Sequence, residues 1–198
     1  MPTSDLIQSL ASIGAIQFGR FESRQQPGTF APIAINLRML TSYPDLLKAL
    51  SAEIAPMVAR PGMTRLLAMP SALPLATAIT LYRGIPLVYP SPVDPGVIEG
   101  AYDTYVPTVL LTDVLSDGTA ELALAKRVYG LGLHVKAVVS VIDLGLLDQV
   151  ADGTGLTYST WCKLDDRLSE LPTLSPSMRA AVERWLDDQR EENRSVPR

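Results

Sequence analysis

The chain has 198 residues, 47% of them apolar, which is enough to bury one core without splitting into several domains. Its 17 basic and 21 acidic residues leave a net charge of −4, which excludes a broad basic surface for nucleic acid. One cysteine, Cys162, excludes an internal disulfide and a cysteine-rich metal site.

No apolar run is long enough to span a bilayer, so no membrane association is expected. The first ten residues carry Asp5 and no basic cluster, unlike a secretory signal. The expected location is the cytoplasm. The only histidine is His134, so a mechanism needing two histidines is excluded. Lysine occurs only at Lys48, Lys126, Lys136 and Lys163, with none between positions 49 and 125.

In chain order, residues 4–13 read as a short amphipathic helix, with Leu6, Ile7, Leu10 and Ile13 on one face and Gly14 as its stop. Residues 15–38 read as extended, interrupted by a polar stretch around Pro27-Gly28. Residues 44–59 form a clearer helix whose stripe is Leu46, Leu47, Leu50, Ile54, Met57 and Val58. Strand and helix then alternate: strand 66–69, helix 72–82, strand 85–89, loop 90–105, strand 109–111, helix 119–129 and strand 135–142. Near-continuous apolar strands in such an alternation imply a parallel sheet covered on both faces. Ligands in these folds gather at the carboxyl ends of the strands. Residues 156–159 read as an edge strand and 175–190 as a final helix, with residues 191–198 as a frayed tail.

The stretch richest in chemistry runs from Val109 to Ala120. A buried strand ends in Asp113, a short loop carries Ser116, Asp117 and Gly118, and a helix begins at Thr119. Backbone N–H groups at a helix start attract phosphate, a glycine permits close approach, and two hydroxyls can donate. The carboxylate at the strand end can hold ribose hydroxyls or a metal. An ordinary capped strand-to-helix turn explains the same residues, and physical reasoning alone leaves both readings open.

Thr112-Asp113-Val114-Leu115-Ser116-Asp117-Gly118-Thr119-Ala120 resembles the signature of type I phosphoribosyltransferases, and of the orotate phosphoribosyltransferase family in particular. That signature is a strand, two acids, two aliphatics and a Thr/Gly-rich loop for the 5-phosphate of phosphoribosyl pyrophosphate. Other segments resemble the family in the same order: Phe18-Gly19-Arg20-Phe21, Pro32 to Arg38 followed by Ser42 to Leu47, Ala72 to Ala78, and Ile98-Glu99-Gly100. The resemblance spans about residues 5 to 170. It implies an α/β type I phosphoribosyltransferase fold, with a mainly parallel central sheet, helices on both faces and a small hood. It implies one domain over 1–190, with the hood from about 1–40 and 155–172. Homodimerisation and a small-molecule phosphate or nucleotide partner follow from the same resemblance.

The departures fall on functional positions. The family's mobile loop carries lysines and a histidine, whereas Tyr89 to Val97 is shorter, proline-rich and free of cations. The paired acids become Thr112-Asp113. Asp117 stands where the family has a small or hydroxyl residue. Leu144 follows Asp143 where the family has an arginine for the orotate carboxylate. The family's Lys-Ser-Gly becomes Arg24 to Gly28, and the pyrophosphate loop Met69-Pro70-Ser71-Ala72 is short.

The resemblance therefore implies Asp113 as the catalytic candidate. It implies Asp113, Ser116, Asp117, Gly118, Thr119 and Ala120 as the ribose phosphate site, and Arg24, Arg38, Pro70, Ser71 and Leu144 around a pyrophosphate or base pocket. No resident metal is expected, and Mg²⁺ enters only with phosphoribosyl pyrophosphate. The leading expectation is lost or weakened transferase activity with binding of a ribose phosphate, nucleotide or other small anion. The alternatives are an active orotate phosphoribosyltransferase, a transferase for a changed base, and a structural dimer module. Gly130-Leu131-Gly132 lacks the third glycine of a dinucleotide fingerprint. His134, Trp185, Tyr102 and Tyr105 read as packing residues, and Asp165-Asp166 and Asp187-Asp188 as solvated faces.

Overall fold

The computed structural model describes residues 3–22, 28–94, 96–147, 155–171 and 174–195. Helix α1 (Thr3–Ser12) buries Leu6, Ile7 and Leu10, the stripe expected from their spacing. Strands β1 (Ile16–Glu22) and β2 (Phe30–Ile35) pair antiparallel as a separate two-stranded sheet. A 3-10 segment (Leu37–Ser42) leads into α2 (Pro44–Val58), whose first turn accommodates Pro44 because the missing N–H would be unpaired there anyway. Leu50, Ile54 and Val58 are its fully buried face.

The larger sheet contains β3 (Arg65–Ala68), β4 (Leu87–Pro90), β5 (Ile98–Glu99), β6 (Val106–Leu115), β7 (Leu133–Asp143) and β8 (Thr157–Lys163), in the order β5-β4-β3-β6-β7-β8. All neighbours are parallel except β4 and β5. Its core follows the two-residue period of strands. Leu66, Val109, Leu111, Ala137 and Val139 face the large cluster that contains Leu50 and Ile54 of α2 and Leu75 and Ile79 of α3 (Leu73–Arg83). Leu67, Leu110 and Val138 face the other way, against Leu124 and Val128 of α4 (Thr119–Tyr129). The short α5 (Leu164–Arg167) follows β8, and α6 (Pro176–Ser195) packs beside β2 while burying Val182 and Leu186.

Four expectations need correction. The segment read as loop 90–105 contains β5, which exists only through its pairing with β4. Gly100 makes that turn possible: its φ is +96°, and a Cβ there would lie 2.7 Å from the Leu87 carbonyl oxygen. Strand β6 does not stop at Asp113, because β7 continues the ladder to Leu115. The edge strand read at 156–159 is present but runs over 157–163, as an edge of the main sheet, since β8 finds its hydrogen bonds along β7 as far as Lys163. Helix α6 passes Arg190 and runs to Ser195, so most of the expected tail is helical.

Asp165 and Asp187, read as solvated, both pair with Arg190, which also donates to the Gly145 carbonyl. His134 stacks on Tyr129 and meets Tyr105 edge-on, with ring centroids 4.8 and 5.1 Å away. Among the described residues, no helix is long and apolar enough to cross a membrane.

Candidate functional site

The strand, loop and helix from Val109 to Ala120 lie at the carboxyl end of the sheet, as the alternation implies. The loop itself is only residues 116–118, because β6 is hydrogen-bonded to β7 through Leu115. Asp113 is therefore held inside a ladder rather than at its frayed end. Alternation along β6 sends Asp113 to the face of Leu111 and Thr112 to the face of Leu110.

Asp113 and Ser71 meet although 42 positions separate them. The Ser71 hydroxyl donates to Asp113 Oδ1 at 2.6 Å. The short segment after β3 is a 3-10 turn (Pro70–Ala72), which brings Ser71 against the end of β6. Met69 N–H donates to the Leu111 carbonyl at 2.8 Å and fixes that approach.

Asp117 does not turn to solvent. Its Oδ1 accepts the Thr119 backbone N–H at 3.0 Å, and its Oδ2 accepts the Thr119 hydroxyl at 2.9 Å. The carboxylate caps the start of α4, so it holds a backbone donor and a hydroxyl that a phosphate would otherwise use. Gly118 has φ +81°, and a Cβ there would lie 2.7 Å from Leu147 Cδ1. Ser116 is exposed, and its hydroxyl bonds no described residue.

Position 121 is a site residue that sequence reasoning missed. Glu121 is only 4% exposed and accepts the buried Thr112 hydroxyl at 2.8 Å. Burial pushes its carboxyl above the ordinary glutamate range. The Thr112 bond opposes that shift, and the nearby Asp117 and Asp113 charges add to it. A signal existed: Glu121 shares the inward spacing of Leu124, Ala125 and Val128 on α4. A carboxyl thus lies beside position 112, delivered by the helix rather than by the strand.

The remaining candidates are dispersed. Leu144 is buried in the larger core, its N–H on the Leu115 carbonyl at 3.0 Å, so it is a core wall rather than an open pocket lining. Asp143 Oδ1 accepts the Gly145 N–H at 2.7 Å. Arg38 is exposed, and its Nε reaches Asn36 Oδ1 at 3.4 Å rather than the loop. Arg24 lies outside the described residues. Pro70 and Ala120 share a cleft of about 590 Å³. Among the described residues, no lysine or arginine forms an ion pair with Asp113, Asp117 or Asp143. Among the described residues, the site therefore offers hydroxyls and carboxylates, suited to holding sugar hydroxyls, with no cation paired to those carboxylates.

No family model matches the chain. Individual relatives do. The chain is 32% identical over 146 residues to the orotate phosphoribosyltransferase of Thermococcus gammatolerans, covering 70% of this chain and 76% of that one. It is 30% identical over 148 residues to the bifunctional enzyme PyrF/PyrE of Nostoc, covering 72% of this chain but only 31% of the relative. Among solved structures, the UMP synthase of Leishmania donovani superposes with a TM-score of 0.85 at 24% identity. That match covers 95% of this chain and 43% of the synthase chain, so the present chain spans less than half of either larger protein. The mainly parallel sheet, the order of the segments and a relative matched over most of its length agree, and the chain belongs to the orotate phosphoribosyltransferase family.

Proposed function

We propose that this chain is an orotate phosphoribosyltransferase-like protein in which transfer is lost or greatly weakened and the ribose side of the pocket is kept for binding. The observation that carries this reading is the Asp117 carboxylate on the Thr119 N–H and hydroxyl. A carboxylate about 4 Å from a phosphate charge costs on the order of 4 kcal/mol per unit charge pair at an effective dielectric of 20. Each missing donor to the developing pyrophosphate charge costs roughly 10²–10³-fold in rate. Asp113, steadied by Ser71, is the residue for ribose hydroxyls. Ser116, Gly118, Thr119 and Ala120 line the 5-phosphate position, which a ribose phosphate or nucleotide occupies only after Asp117 releases Thr119.

Magnesium belongs to this reading as a companion of the diphosphate substrate. Among the described residues, no group of three or more His, Cys, Asp or Glu side chains is placed to hold a metal. Asp113 nevertheless keeps Oδ2 free of described hydrogen-bond donors, so it can meet an incoming hydroxyl or ion. The reading includes a homodimer, supported by exposed Leu81 and Tyr82 on α3 and Val93 and Val97 on the β4–β5 hairpin. Light scattering tests that part, and a monomer at micromolar concentration removes it.

The functional test is calorimetric titration with phosphoribosyl pyrophosphate, Mg²⁺ and orotate, with orotidine monophosphate assayed afterwards. Saturable heat without product is expected. Sustained heat with product would establish the second reading, an active orotate phosphoribosyltransferase, which the 32% identical relative favours. No heat at all would remove the ribose phosphate ligand.

A further inference from the structure

The cleft that holds Pro70 and Ala120 is walled by α4, whose Leu124 packs on the sheet face of Leu67, Leu110 and Val138. One wall is α4, where Ala120, Leu124 and Arg127 fall on one stripe at i, i+4 and i+7. The facing wall is Pro90 and Pro92, with Met69 at the base. Its volume of about 590 Å³ lies in the range of small-molecule sites and is far below what a folded partner needs.

The cleft is held open by construction. Ala120 is small, and proline rings cannot swing to fill space. The hairpin cannot collapse towards α4 either, because β4 and β5 are paired at Tyr89–Glu99 and Pro90–Ile98 and the Ser91 N–H is fixed on the Val97 carbonyl at 2.9 Å. Such a pocket costs little to organise when a ligand enters.

Its chemistry is one-sided. The lining is apolar apart from Ser91 and Arg127, and no carboxylate lines it. Arg127 is exposed and forms no ion pair among the described residues. Ser91 Oγ accepts the Val93 and Asp94 N–H groups at 3.4 Å, which leaves its proton to donate outward. A hydrocarbon body matches the proline, methionine and leucine walls, and a single anionic head matches the guanidinium.

We propose that this cleft is a second ligand site, distinct from the ribose phosphate site, that binds an amphipathic monocarboxylate: a compact hydrocarbon body lying between Pro90, Pro92 and Leu124, with its carboxylate on Arg127. The site needs no phosphate and no Asp113. It shares the first turn of α4 with the ribose phosphate loop, and Pro70 with the turn that sets Ser71 against Asp113.

The test is a ¹⁵N-¹H titration of the whole chain with octanoate, with octanol as the neutral probe of the same body. Saturable shifts are expected at Met69, Ser91 and residues 120–127, since the lining prolines carry no N–H. Arg127→Met should weaken octanoate at least fivefold and leave octanol unchanged, because it removes the charge from an exposed position and keeps the methylene stem. Leu124→Trp should block both probes. The proposal is overturned by absence of saturable shifts, by octanoate binding that ignores Arg127→Met, or by competition from orotate. Orotate competition would make the cleft part of the family's acceptor pocket. Ribose 5-phosphate titrated separately reports on the other site, so failure of one assignment is readable without the other.

Discussion

Two loops lie at the carboxyl edge of the sheet, and they are built in different ways. The β6–α4 loop combines a positive-φ glycine, a helix start and a hydroxyl at Thr119. One side chain, Asp117, occupies the donors that this shape presents. The β4–β5 hairpin is fixed by Gly100 and the Pro90–Ile98 pair, and it carries prolines and no lysine or arginine between Tyr89 and Glu99. Core burial dictates where both loops sit, and it is indifferent to what their exposed side chains do. Scaffold and chemistry can therefore part company within a few residues, and the fold alone is a poor guide to turnover.

The comparison can be broken first at its backbone. Gly100→Ala puts a Cβ 2.7 Å from the Leu87 carbonyl oxygen at φ +96°, and neither chain segment can move without undoing the hairpin. Left-handed strain of about 1–2 kcal/mol adds to that clash, so a loss of roughly 3 kcal/mol is expected in urea unfolding. Gly118→Ala should cost less, about 1–2 kcal/mol, because its obstacle is the movable end of Leu147. Equal costs at the two glycines would mean that the hairpin is no more fixed than the loop. Asp117→Thr then sharpens the chemical side. It removes the carboxylate and keeps a capping hydroxyl, so ribose 5-phosphate should bind about tenfold tighter, worth about 1.4 kcal/mol. Unchanged binding by calorimetry would refute the claim that Asp117 competes with phosphate.

Legibility in the sequence divided along the same line. Helix α4 was readable to the residue because Gly118 and Gly130 bracket an apolar stripe. Strand β5 was not, because two residues carry no period and exist only by pairing with β4. The length of β6 depended on β7, whose pairing residues lie 27 or 28 positions further along the chain. At the site, the substitution at Asp117 was visible but its partner was not, since a carboxylate beside a phosphate loop has several places to go. The Ser71–Asp113 contact left no local trace across 42 positions. Glu121 was legible in principle, by its spacing with Leu124 and Val128, but a charged residue on an inward stripe is easily read as an exception at a helix start.

That buried glutamate gives the smallest effect, and one whose sign is decided by linkage. Burial raises the Glu121 carboxyl in the folded chain above its ordinary value, with Asp117 and Asp113 pushing the same way against the Thr112 bond. Below the ordinary glutamate range the group is protonated in both states, and the folded chain is not penalised. As pH rises through that range, the unfolded chain releases its proton first. The folded state then binds more protons, so stability falls with pH until the raised folded carboxyl ionises as well. Glu121→Gln cannot ionise, keeps an oxygen that accepts the Thr112 hydroxyl, and removes this loss. Urea midpoints measured between pH 4 and 8 should therefore show the variant gaining on the parent as pH rises, by an amount that levels off above the folded carboxyl's titration. A gap that is constant across the range would mean that Glu121 is not perturbed by burial. A gap that runs the other way would mean that its charged form is held by a cation, and the picture of an anionic site without a counter-ion would have to be given up.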